Sequence, residues 1–168
     1  NVQISVTDQA GVSATQDFVI QVLDVDPNLS VLVNFRHTTN VPSSWNNIST
    51  TEAYQLQDIH GASSGITLDL LTSAWNSFNE GAQTGDNTGV FPDAVLKDYY
   101  YFGIFGAPES IELKLSGLDI NRFYNLEFLA SSSWTGTADN GTTVYTIDNQ
   151  SASVYAQDNT QNTASFTG

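Results

Sequence analysis

Gly61-Ala62-Ser63-Ser64-Gly65 has the G-x-S-x-G spacing of a serine-hydrolase nucleophile, with His60 directly before it. That chemistry needs the serine lifted on a sharp turn between a strand and a helix, with a base in hydrogen-bond reach. Here the five residues run into Ile66-Thr67-Leu68-Asp69-Leu70, an alternating strand pattern, and His60 has no evident route to Ser63. The context therefore predicts a turn. His37 is the other histidine, and two histidines without any cysteine are too few for a His- or Cys-rich metal site. Carboxylate pairs such as Asp93/Asp98 and Glu109/Glu112 satisfy the residue types of a glycosidase. That reaction also requires a set separation across a cleft, and among 18 acidic residues such pairs arise by composition alone. No catalytic residue is predicted.

Two other groups suit recognition rather than catalysis. Trp45, Trp75 and Trp134 stand in polar contexts, "SSWNN", "SAWNSF" and "SSWTG". An indole face stacks on the C–H face of a sugar ring while neighbouring amides and carboxylates read the hydroxyls; its alternative use is packing. Trp134 and Trp45, with Asp139 and Asn140 from "SSSWTGTADNGT", are the predicted carbohydrate contacts, because loops carry recognition where strands carry the core. Asp24, Asp26 and Asn28 alternate in "LDVDPN", so in an extended segment their oxygens face one way and suit a hard cation. They are the predicted Ca²⁺ ligands. A complete site needs six or more oxygens, and the competing role for Asp24 and Asp26 is to cap a strand end before Pro27.

These residues have to be positioned by strands. Val2/Ile4/Val6 and Phe18/Ile20/Val22 alternate around a polar, Gly-containing segment, as in a hairpin. Further strand signals are Val31/Val33/Phe35, Ile66/Leu68/Leu70, Ile111/Leu113/Leu115, Tyr124/Leu126/Phe128, Val144/Thr146 and Val154 to Ala156, with a reversal at Asn140-Gly141. "FPDAVLKDYYYF" (91–102) has room for one helical turn, and consecutive tyrosines 99 to 101 on a strand must alternate between faces. No long helical period occurs. The expectation is an all-β chain, an antiparallel sandwich.

Charge narrows the partners. Four basic residues against 18 acidic ones give a net charge of −14, which repels nucleic-acid backbones and anionic lipid. No segment is long and apolar enough to span a membrane as a helix, so neither nucleic acid nor membrane insertion is expected. Without cysteine there is no disulfide or thiolate metal site. Strand patterns reach both ends of the chain, as expected for a piece of a longer polypeptide.

"VTD..G.SAT..F.IQV.DVD", over residues 2 to 28, resembles the last two strands and acidic linker of a cadherin-like or bacterial immunoglobulin-like domain. From Leu29, "VLVNF", "GITLDL", "FPDAVLKDYYYF", "LSGLDINRFYNLEFLAS" and "TVYTIDNQSASVYAQDNT" resemble a galactose-binding-domain-like jelly roll of secreted Bacteroidetes-type multidomain proteins. These resemblances imply two units, 1–28 and 29–168, with the second lacking its last strands, and structural Ca²⁺ at the junction. They imply a non-catalytic module of a secreted or cell-surface bacterial protein, acting in adhesion or carbohydrate binding. Its partners would be a glycan or cell-surface ligand and the neighbouring domains of the same polypeptide. The alternatives are a stalk or spacer segment and an accessory domain of a secreted polysaccharide-degrading enzyme.

Overall fold

The computed structural model describes residues 2–7, 13–18, 29–35, 41–48, 53–72, 76–101, 110–135 and 141–168. Over these residues the protein is all-β, with a single helical turn. Strands β1 (Val2–Thr7) and β2 (Ser13–Phe18) pair antiparallel, Val2 opposite Phe18, so a hairpin forms as expected. However, β2 starts at Ser13, within the polar segment expected to join the strands, and Ile20 and Val22 lie outside the described residues.

The main core begins with β3 (Leu32–Phe35) and β4 (Trp45–Ile48), which pair in parallel with Leu32 opposite Trp45. This pair departs from the antiparallel expectation. β5 (Tyr54–Gln57), β6 (Ser63–Leu70) and β9 (Leu113–Ser116) form an antiparallel sheet in the order β5-β6-β9. Period-2 alternation in β6 turns Ile66, Leu68 and Leu70 to one face, where they are buried with Ile48 and Leu56. Val33, Phe35, Tyr54, Tyr100, Leu115 and Tyr124 pack against them. Each fully buried aliphatic side chain contributes about 1.5–3 kcal/mol relative to exposure. β9 approaches β6 so closely that a Cβ on Gly117 would overlap the Gly65 carbonyl oxygen, and Gly117 also has φ +82°, so only glycine fits.

Asn46 ties β3 and β4 to β5. Its side-chain amide donates to the Leu32 carbonyl at 2.9 Å and to the Gln57 carbonyl at 2.8 Å. Its Oδ1 accepts the Gln57 N–H at 2.8 Å. One side chain thus satisfies both backbone groups of Gln57 beside the β5 irregularity between Gln55 and Gln57.

A second body of packing follows. β7 (Asn76–Phe78) pairs antiparallel with β8 (Tyr99–Tyr101), and between them lies α1 (Asp93–Leu96), the helical turn predicted within 91–102. Tyr100 and Tyr99 point to different partners, as alternation requires. Tyr100 packs on Phe35, 5.0 Å between ring centres, and donates to the Ile48 carbonyl at 2.9 Å; burial raises its hydroxyl pKa. The Tyr99 hydroxyl instead meets Ser132 Oγ at 3.4 Å. β10 (Asn125–Phe128) pairs antiparallel with β13 (Ala164–Thr167), and β11 (Thr142–Ile147) with β12 (Gln150–Tyr155). The β11–β12 hairpin closes on Asp148-Asn149, with Asp148 in the left-handed region at φ +52°. Tyr145 stacks on Phe128 at 4.7 Å, and Phe128 meets Phe166 edge-on at 5.9 Å. Burial pushes the Tyr145 hydroxyl up to about 12.

Replacing Asn46 by leucine keeps the side-chain size but strands the Gln57 N–H and carbonyl. Since water reaches Gln57 and can replace the lost partner, Asn46→Leu is expected to cost about 0.5–1.5 kcal/mol, read as a lower urea midpoint with an unchanged slope.

Candidate functional site

The G-x-S-x-G stretch is the β5–β6 hairpin. Asp58 N–H donates to the Ala62 carbonyl at 2.8 Å and Gly61 N–H to the Asp58 carbonyl at 3.0 Å, while Asp58 Oδ1 accepts the N–H groups of His60 and Ala62. Ser63 begins an antiparallel strand opposite Gln57, and no helix follows it. The turn predicted from context is what forms, and it lacks the strand–helix elbow that would expose Ser63 as a nucleophile.

Among the described residues Asp93, at the start of α1, is the carboxylate that accepts the most hydrogen bonds. It is buried and takes the N–H of Thr84 (2.8 Å), the hydroxyl of Thr84 (2.9 Å), and the N–H of Gly85 (2.8 Å) and Asn87 (3.4 Å). Asn87 Oδ1 accepts the Asp93 N–H in return at 3.0 Å, with Asn87 at φ +60°. These donors, the Thr84 N–H first, hold the Asp93 carboxyl below its ordinary range. The folded loop 84–93 is clamped to the 159–162 segment through Val90 N–H to the Thr160 carbonyl (2.8 Å) and Gln161 Nε2 to the Thr88 carbonyl (2.9 Å). A carboxylate so fully occupied organises a loop and is poorly placed to exchange a proton with a ligand.

The tryptophans separate. Trp45 opens β4, half-buried, and meets Phe91 edge-to-face at 5.3 Å, so it anchors the segment ahead of α1 to β4. Trp134 is half-buried, its N–H donating to Ser132 Oγ at 3.2 Å. Ser131 and Ser132, placed by sequence in a polar loop, are buried: Ser131 Oγ accepts the Ala82 N–H, and Ser132 N–H donates to the Ala156 carbonyl. This bonding sets the start of the Trp134 segment beside the end of β12. Asp139, Asn140, Trp75, Glu109 and His37, and the predicted Ca²⁺ ligands Asp24, Asp26 and Asn28, lie outside the described residues. Among the described residues no three His, Asp or Glu side chains gather as a metal site.

One exposed face stands out next to that end. In the β11–β12 register Thr142 opposes Tyr155, Val144 opposes Ser153, and Thr146 opposes Ser151. All six side chains are exposed, Tyr155 at 61% and Val144 at 57%. The face is about 14 Å long on strand geometry. It carries five hydroxyls, one aromatic ring and no charge, in a chain of net charge −14. Thr146 Oγ1 and Ser151 Oγ are 3.1 Å apart, either able to donate. Hydroxyls both donate and accept, and a tyrosine presents an apolar ring with a polar tip, so the face can stack one ring and hydrogen-bond a polyhydroxylated one. Sequence alternation had marked Val144 and Thr146 as a strand without indicating that they face water. The signal that could have found the site is the two-residue turn at Asp148-Asn149, about which the hydroxyl residues are symmetrically spaced.

Two other surface features are a small recess and an apolar turn. A recess of 130 Å³ behind the hairpin turn, lined by Tyr124, Leu126, Ile147 and Phe166, is below the roughly 300 Å³ at which ligand pockets begin. On the turn before β10, Ile120 is 96% and Phe123 88% exposed. That turn is held by Asp119, which accepts the Asn121 N–H at 2.9 Å, and by Asp119 N–H on the Tyr124 hydroxyl at 2.9 Å. Compared with protein-family models, curated proteins and solved structures, the chain matches none. What fold and site together define is an all-β protein with an exposed, uncharged, hydroxyl-rich strand face.

Asp93 gives a pH test. Its folded pKa lies below the unfolded value of about 3.9, so its stabilisation is present above that value and is lost as pH falls through the folded pKa. Asp93→Asn puts an NH₂ against donor N–H groups. The variant is expected to be clearly less stable than wild type at pH 7, with the gap in urea midpoint narrowing below about pH 4.

Proposed function

We propose that the protein is a non-catalytic recognition module of a secreted or cell-surface bacterial protein, binding carbohydrate in an adhesive role through the outer face of β11–β12. The observation that carries this reading is the charge-free array of Thr142, Thr146, Ser151, Ser153 and Tyr155 around Val144. Proteins recognise one another through buried Trp, Tyr and Arg anchors, with Ser, Thr and Val under-represented. A face made almost wholly of hydroxyl residues with a single ring is matched instead to a ligand that is itself polyhydroxylated. Trp134 belongs to the same reading as a flanking contact, because Ser132 bonds to the Ala156 carbonyl just past β12, and Asp139 and Asn140 stay in the proposal on their sequence context alone.

The finer architecture is part of the proposal: an immunoglobulin- or cadherin-like final hairpin in 1–28 and a galactose-binding-like jelly roll from 29 onward. With it goes Ca²⁺ held by Asp24, Asp26 and Asn28 at the junction. Calorimetric titration of Ca²⁺ into the protein should give binding that the double substitution Asp24→Ala, Asp26→Ala removes; equal heats from both proteins would end the calcium proposal.

For the glycan site, wild type and Tyr155→Ala are compared on immobilised polysaccharides. Tyr155 is exposed, so the substitution should change stability by no more than about 0.5 kcal/mol. Retention is expected to fall at least about tenfold. Unchanged retention with an unchanged melting temperature would move the site off this face.

A further inference from the structure

Resting on the proposed glycan site, we infer that its ligand class is an uncharged, extended polysaccharide lying along the strands of β11–β12, and that acidic polysaccharides are excluded. Three observations carry this. The six outward positions hold no lysine or arginine, so nothing on the face can pair with a uronate or sulfate group. The whole chain carries 4 basic against 18 acidic residues, and Asp148 in the turn and Asp158 beyond Ala156 flank the face, so an approaching polyanion meets repulsion without a compensating contact. The face is also open to solvent. Its rows Thr142/Tyr155, Val144/Ser153 and Thr146/Ser151 form a strip rather than a pocket, which suits a ribbon-like chain and not a single enclosed sugar.

The strip has a polarity that fixes how such a chain would sit. Tyr155 at one end offers a ring for stacking against C–H groups, and Val144, diagonal to it, extends the apolar footing by one row. The Thr146–Ser151 pair at the other end offers two hydroxyls that can exchange donor and acceptor roles, so it accommodates either orientation of a sugar hydroxyl. Binding is therefore led by stacking at Tyr155 and made permissive by hydroxyls elsewhere. Tryptophan at position 155 should preserve it, and alanine should not.

The test uses calorimetry with two neutral polysaccharides, arabinoxylan and galactomannan, and two acidic ones, polygalacturonate and alginate. Each is run at about 0.01 M and about 1 M salt, which screens charge to about 30 Å and 3 Å. The expected result is binding of at least one neutral polymer, insensitive to salt, retained by Tyr155→Trp and weakened about tenfold or more by Tyr155→Ala. The acidic polymers are expected to give no binding at either salt. Acidic polymers bound as well as neutral ones would overturn the ligand class while leaving the glycan-binding reading standing. If none of the four binds wild type, both fall. Neutral binding that survives Tyr155→Ala places the ligand elsewhere and refutes the strip.

Discussion

Tyr145 stacked on Phe128 decides which half of the β11–β12 hairpin meets water. Side chains in a strand alternate strictly, so once Tyr145 faces inward, Thr143 and Ile147 follow it, and Thr142, Val144 and Thr146 must face out. The antiparallel register then carries the choice across to β12, where Val154 is buried and Ser151, Ser153 and Tyr155 are exposed. A slip of one residue would bury hydroxyls and bring Tyr145 and Ile147 to the surface. The aromatic contact in the core is thus what assembles the outer face, although none of that face's side chains touches it through the sheet.

Around this constraint the protein leans on uncharged side chains to do work that backbone ladders do elsewhere. Asn46 acts as a substitute peptide for Gln57. Asn159, which is buried, donates to the Ala130 and Asn162 carbonyls and accepts the N–H groups of Gln161 and Asn162. Asp93 does the same for the 84–87 turn with a charge. A buried polar group left without a partner costs roughly 1–3 kcal/mol, so irregular connections between short strands are stable only where such side chains reach them. This changes what the composition means. Abundant Asn, Ser and Thr look like a ligand-reading surface, yet Asn34, Asn46, Asn159, Ser131 and Ser132 are spent on the fold. Hydroxyls on an outward face, as in β11–β12, are left in water.

The aromatic residues divide in the same way. Trp45 and Phe91 hold the segment before α1 to β4, and Tyr99 and Tyr100 tie β8 to two different bodies of packing. Tyr155 is the aromatic of the strip, and its ring is mostly in water. Large rings in polar sequence contexts therefore serve as anchoring points here, because a short loop gains most from one large contact.

The sequence by itself determined the all-β class, the alternation of β6 that builds the main core, and a reversal just ahead of Ser63 in place of a nucleophile elbow; it left room for the helical turn within 91–102 without requiring it. Each follows from local chemistry: period-2 apolar spacing, Pro and Gly punctuation, and the lack of any helical period. It also fixed the charge that bears on which partners are repelled. The parallel pairing of β3 with β4, the short strands β4, β5 and β7, and the outward direction of Val144 and Thr146 were decided only by the tertiary structure. In "TTVYTI" either half of the alternation could be the buried one, since Val144/Thr146 and Tyr145/Ile147 are both plausible inner faces. What breaks the tie is a partner in another strand, Phe128, and no local pattern contains that information.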